Sequence, residues 1–200
     1  MEEMKFHIII AGSTTGEGNP LVVELKSEYM NVAYISYFKN VDDAMSFVEK
    51  HLLERIIILM DCRFGSSCFE AVAKLRENNS LIPIIFVSSS DINKLPNKDV
   101  MGMINSENVF IINNSDVIAA KEIIEKIRNQ WNVRFDGVLE QWLIRHPEDN
   151  SKEAFSEAST GRTYSWTDIL IELRKQTPVG KSFEHVLNEY YIYQINRSKK

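Results

Sequence analysis

Five short apolar runs, each closed by small or polar residues, punctuate the first part of the chain: KFHIIIAG over 5–12, Val32 to Tyr37, Ile56 to Met60, Ile82 to Val87 and Val109 to Ile112. The third is the most informative. In RIIILMDCRFGS the apolar residues are unbroken, end on Asp61 and give way at Gly65. That is the pattern of a strand buried on both faces that delivers a carboxylate to its C-terminal edge, the edge where ligands and chemistry sit in open α/β sheets.

Between the runs the period changes to that of helices. Pro20 suits a first helical turn and LVVELKSEYM follows it. DDAMSFVEKHLLE, over 42–54, carries Ala44, Phe47, Val48 and Leu52 on one stripe, and the segment from Ser66 to Asn78 carries Phe69, Val72, Ala73 and Leu75. With Ser115 or Asp116 as its cap, a further helix runs from Val117 to Trp131, and its pattern continues toward Trp142 and Ile144. Five apolar strands alternating with helices predict a doubly wound α/β fold, a five-stranded parallel sheet covered on both faces.

The pattern changes after His146 and Pro147. PEDNSKEAFSEASTGR is polar and reads as a linker or loop. Two amphipathic segments follow, WTDILIELRKQT after Ser165 and SFEHVLNEYYIYQINR beyond Pro178 and Gly180. Trp166, Ile169, Leu170, Leu173, Phe183, Val186, Leu187, Tyr190 and Ile192 supply the apolar positions of a helical hairpin. The expected organisation is an α/β domain over 1–130, then a helical extension and a small C-terminal helical module over 131–200.

Composition narrows the function classes. The net charge of −5 argues against a general binder of nucleic acid or acidic membrane, which needs a basic face. No charged and apolar leader is recognised, and no apolar run approaches the ~18 residues of a bilayer span, so the expected location is cytoplasmic. Cys62 and Cys68 lack CxxC spacing, and His7, His51, His146 and His185 are scattered, so no metal is expected. Nor is any cofactor.

Asp61 at the end of strand three, the helix FEAVAKLRENN, the phrase IPIIFVSS ending strand four with Ser88, and Phe110 in strand five together resemble the receiver domain of bacterial response regulators. The likeness spans residues 5 to about 130. It implies a flavodoxin-like strand order 2-1-3-4-5, with Asp61 as the phospho-acceptor candidate and Ser88 and Phe110 as switch positions. The resemblance is to an atypical member, a pseudo-receiver. Where the family holds Mg²⁺ with an acidic pair, this chain has Gly12 and Ser13, and where the family has a strand-five lysine it has Asn113. A hard divalent cation wants several oxygen ligands, and an amide supplies no positive charge.

The loop from Gly12 to Asn19, GSTTGEGN, offers glycine for close backbone approach, hydroxyl donors, and a helix N-terminus behind. Its Ser13, Thr14, Thr15 and Gly16 resemble the first loop of flavodoxins, which holds the phosphate of flavin mononucleotide. Three readings follow. The leading one is a non-enzymatic signalling or regulatory protein that binds a protein partner, or a second copy, through the last helix of the α/β domain and the C-terminal module. The others are a phospho-accepting response regulator using Asp61, and a flavin- or phosphate-binding protein using the first loop.

A DNA-reading output module would need Lys or Arg facing phosphates. The segment 182–196 has Glu184 and Glu189 but no basic residue, and from Val138 to Lys200 nine Lys and Arg are balanced by nine Asp and Glu. Gel-shift assays are expected to show no duplex binding. Tight binding that falls steeply with salt would contradict this.

Overall fold

The computed structural model describes residues 4–12, 17–61, 66–88, 101–102 and 106–197, with the side chains of 66–69 excepted. The chain divides into two compact units, Met1–Asn129 and Gln130–Lys200.

The first unit is the expected parallel sheet. Strands β1 (Phe6–Ala11), β2 (Ala33–Phe38), β3 (Ile56–Asp61), β4 (Ile84–Ser88) and β5 (Val109–Asn113) lie in the order β2-β1-β3-β4-β5, all parallel. Ile8, Ile9 and Ile10 of β1, Ile57 to Met60 of β3 and Ile84 to Val87 of β4 are all buried. The edge strands β2 and β5 are only partly buried, and they carry the more mixed sequences. A strand flanked by neighbours and covered on both faces has no side on which a polar residue can meet water.

Helices α1 (Pro20–Tyr29), α2 (Val41–Lys50), α3 (Ser66–Asn78) and α4 (Val117–Trp131) connect or follow these strands. Their starts are chemically specified. Asn19 accepts from the Leu21 amide at 2.9 Å ahead of Pro20. Asn40 accepts from the Asp43 amide and donates to its carboxylate, each at 2.8 Å. Of the two candidate caps for α4, Asp116 takes the role, accepting from the Ala119 amide at 2.9 Å. Helix α2 stops four residues before the expected Glu54, because the His51 ring stacks on Phe47 with 3.9 Å between centroids and its Nδ1 lies 2.7 Å from the Phe47 carbonyl.

In the second unit three expectations change. The pattern running past Trp131 is broken at 132–134, and a separate helix α5 (Phe135–Arg145) begins. Gly137 explains the tight turn: a Cβ there would lie 1.9 Å from the Trp131 carbonyl oxygen, so only glycine lets the backbones approach this closely. The polar stretch after Pro147 is not a linker. It forms a 3-10 turn (Pro147–Asp149) and an antiparallel hairpin of β6 (Glu153–Ser156) and β7 (Thr163–Ser165). Phe155 and Tyr164 pair across the hairpin, and Phe155 meets Phe183 edge-on at 5.8 Å. Ala154 and Phe155 within the polar run, with Tyr164 just beyond it, anchor the hairpin because a core receives them.

The third change concerns Pro178 and Gly180, which do not separate the last two helices. They open α7 (Pro178–Arg197), which follows α6 (Trp166–Lys175). Gly180 is seated against α6, where a Cβ would lie 2.3 Å from the Glu172 carbonyl oxygen. Ser165 and Asp168 cap α6 reciprocally, and that bonding holds the Asp168 carboxyl below its ordinary value. Phe183 is the hub of this core, within 6.1 Å of the rings of Phe135, Phe155 and Trp166.

Beside the hub lies a buried ionic cluster that the periodicity of the sequence did not reveal. Arg174 on α6 bonds Glu140 of α5 at 2.9 Å and lies 3.6 Å from Asp136, which Arg134 grips with two bonds of 2.8 Å. Burial by itself would raise the Asp136 carboxyl, but the bonds and charge of Arg134, then the charge of Arg174, outweigh it and hold the group below its ordinary 3.8. Removing one member of such a cluster costs about 3–5 kcal/mol, since the remaining charges stay buried.

Trp131, Trp142 and Trp166 all lie in this unit, so their fluorescence reports its unfolding. Arg174→Met is expected to lower the urea-unfolding free energy by about 3–5 kcal/mol. A change under about 1 kcal/mol would show that the cluster does not hold the unit. Because the Asp136 value is lowered on folding, its contribution is present above pH 3.8 and is lost as the pH falls through the depressed native value. Asp136→Asn is expected to flatten that acid limb.

Candidate functional site

The C-terminal edge of the sheet carries two of the predicted positions, Asp61 and Ser88, beside Gly12 and Asn113. Asp61 closes β3 opposite Val87, Ser88 closes β4 opposite Asn113, and Gly12 directly follows β1. Register alone achieves this, since parallel strands of similar length end together. Asp61 is half-buried and Ser88 is buried. Phe110 sits lower on the edge strand β5, half-buried opposite Ile85, with the Lys126 ammonium of α4 5.6 Å from its ring centre.

Gly12 and Asn113 each have a defined structural use here. Gly12 has φ +142°, and a Cβ on it would lie 2.5 Å from the Asp61 Cβ and 3.1 Å from the Asp61 carbonyl oxygen. Its amide donates to the Phe38 carbonyl at 3.0 Å, and its carbonyl accepts from the Tyr37 hydroxyl at 3.0 Å. A side chain at position 12 would therefore meet the Asp61 backbone and side chain, and the end of β1 is tied to β2. Tyr37 was not singled out from the sequence, because only the pairing of β1 with β2 brings it to this edge.

Asn113, at the lysine position, is used locally. Its Oδ1 accepts from the Ser115 amide at 3.1 Å and the Ser115 hydroxyl at 2.9 Å, forming the turn that leads into α4. The Asn113-Asn114-Ser115-Asp116 string carried that signal, since such residues favour turns and caps. Among the described residues, no group of three or more His, Cys, Asp or Glu side chains is placed to hold a metal ion.

Ser13, Thr14, Thr15 and Gly16 lie outside the described residues, as do Cys62, Ser89, Ser90 and Asp91. Two of the four histidines, scattered in sequence, come together in the fold, and the other two stand apart. His7 and His51 are 5.8 Å apart in a ring cluster with Phe47 and Tyr34 around β1 and α2, and His7 pairs with Glu54. His146 stacks on Trp142 at 4.7 Å, and His185 pairs with Glu189 at 3.3 Å on the surface of α7.

Apolar side chains also reach the surface. Ile118 of α4 is exposed, and so are Tyr190, Tyr191, Ile192, Tyr193 and Ile195 of α7. No helix among the described residues is long and apolar enough to cross a membrane.

Comparison with known proteins adds the fold alone. No protein-family model matches the chain, and no curated protein does. Among solved structures, it is similar to the Francisella novicida lysine decarboxylase LdcF, with a TM-score of 0.52 and 15% sequence identity. The match covers 80% of this chain and 22% of the decarboxylase, so the chain spans about a fifth of that enzyme's length. The chain is an α/β flavodoxin-like fold, a five-stranded parallel sheet of order 2-1-3-4-5 flanked by helices, with a C-terminal helix beyond it.

Proposed function

We propose that this is a non-enzymatic signalling or regulatory protein, in which a degenerate receiver-like unit acts through protein association rather than phosphoryl transfer. The observation that carries the reading is the seating of Gly12 against Asp61. Phosphoryl transfer to a carboxylate brings negative charge onto negative charge, and catalysis consists mostly of placing cations against it. A Cβ at position 12 would meet Asp61, the Asn113 Oδ1 is engaged by Ser115, and among the described residues no group of three or more His, Cys, Asp or Glu side chains is placed to hold Mg²⁺, which supports this reading.

Association is supported by the surface. The exposed Ile118 on α4 and the apolar distal half of α7 offer side chains of the kind that anchor interfaces. The likeness to a lysine decarboxylase concerns the fold, and one fold serves many unrelated functions. The competing reading, phospho-acceptance at Asp61, keeps one point in its favour: the carboxylate is half-buried at the sheet edge with Ser88 on the neighbouring strand.

Incubation with acetyl phosphate and Mg²⁺ separates the two. Intact-mass spectrometry is expected to show no adduct, and beryllofluoride no bound form; a stable adduct mapped to Asp61 would establish the competing reading. Gly12→Asp supplies a second test. Restoring the family's acid is expected to cost about 1–3 kcal/mol, from crowding at Asp61 and from the left-handed backbone. A variant as stable as the parent, with a melting temperature that rises in Mg²⁺, would mean that the position is open after all.

A further inference from the structure

Helix α7 is twenty residues long and α6 only ten. Its first half is committed to the core of its unit through Phe183, with Leu187 packed alongside. Beyond Leu187 the helix continues for two and a half turns or so with Tyr190, Tyr191, Ile192, Tyr193 and Ile195 all between 55% and 60% exposed. Tyr190 and Tyr193, three residues apart, share one face with Val186, itself 50% exposed, while Tyr191, Ile192 and Ile195 lie around the rest of the circumference.

We infer that the distal half of α7 pairs antiparallel with α7 of a second copy of this chain, about a centre near Tyr193. Charge placement selects this occupant. Glu189 lies four residues before Tyr193 and Arg197 four residues after it, each about 6 Å along the axis. Positions 189, 193 and 197 share one face, because residues four apart are helix neighbours. In an antiparallel pair Glu189 of each copy comes opposite Arg197 of the other, so the arrangement makes two ion pairs by symmetry. A parallel pair would set glutamate against glutamate and arginine against arginine. The contact between the Glu189 carboxylate and His185, at 3.3 Å, lies on the surface, where the carboxylate can also reach across.

The other occupants fit less well. An interfacial membrane helix needs Lys or Arg repeated along its polar face, and a nucleic-acid surface needs them too, yet α7 carries only Lys181 near its start and Arg197 at its end. Tyrosine suits an interface that forms and separates, since its ring buries area while its hydroxyl stays solvated. One helical stripe from each copy buries less than the ~1,200 Å² of a standard stable interface. The pair is therefore a reversible, concentration-dependent dimer.

This inference rests on the proposed action through association, and it names the partner. Sedimentation velocity on the full chain, over a dilution series, is expected to show a monomer-dimer equilibrium. Glu189→Arg and Arg197→Glu are each expected to weaken it about tenfold, one decade being 1.4 kcal/mol over two lost pairs. The double variant restores opposite charges and is expected to return to within about threefold of the parent. Tyr193→Ala is expected to weaken the dimer while leaving the melting temperature unchanged at dilutions where the parent is monomeric, because the side chain is exposed.

A chain that is monomeric at every concentration, or a double variant as weak as the single ones, would overturn the inference. Acetyl phosphate treatment reads the parent hypothesis separately. A monomer without an Asp61 adduct removes the dimer alone, whereas a dimer carrying the adduct removes the degenerate-receiver reading alone.

Discussion

Three neighbouring strands without a solvent-facing side set the terms for the first unit. In β1, β3 and β4 every residue from Ile8 to Ala11, Ile56 to Met60 and Ile84 to Ser88 is buried. Each isoleucine moved from water into such a sheet contributes about 1.5–3 kcal/mol. A one-residue slip would carry Asp61 into the packed layers and leave apolar side chains at the edge, so the register is strongly held. The edge site follows from this. Because the strands end together, Gly12, Asp61, Ser88 and Asn113 meet there regardless of what they do chemically.

What that edge can do depends on details below the level of fold. A flavodoxin-like sheet accommodates ligands at its C-terminal edge in many proteins. Here the backbone of β1 turns at Gly12 with a left-handed φ, packs on Asp61 and is tied to β2 through Tyr37. Space that would hold an acidic side chain is occupied. Packing sustains the sheet whatever its edge carries, so the fold by itself assigns no chemistry to Asp61.

The second unit is held by a different balance. It has a small apolar centre around Phe183 and, next to it, the buried Arg134–Asp136–Arg174–Glu140 cluster. Buried ion pairs contribute little net stability against apolar replacements, yet they strongly penalise arrangements that separate them. In a unit of short elements such a cluster ties α5 to α6, while Phe155 ties the hairpin to the start of α7.

Much of this was legible without coordinates. Continuous runs of Ile, Leu and Val mark central strands, because burial on both faces removes the need for polar alternation. Pro20, Asp116 and Ser165 mark helix starts, the first because its ring suits a first turn and the others because their side chains satisfy free amides locally. These are properties of a few adjacent residues. The break at 132–134, the hairpin within 153–165 and the merging of Pro178 and Gly180 into α7 were not legible. Each depends on a partner distant in sequence or on a backbone approach: Phe155 on Phe183, Gly180 on Glu172, Gly137 on Trp131. The same division holds at the site. Adjacent residues show that Asp61 closes an apolar strand and that Asn113 opens a polar string after another, whereas the contact of Gly12 with Asp61, the tie from Tyr37 and the exposure of the α7 tyrosines arise from packing between segments. Residue identity is local, whereas occupied space and exposure are set by whichever segments the fold brings together.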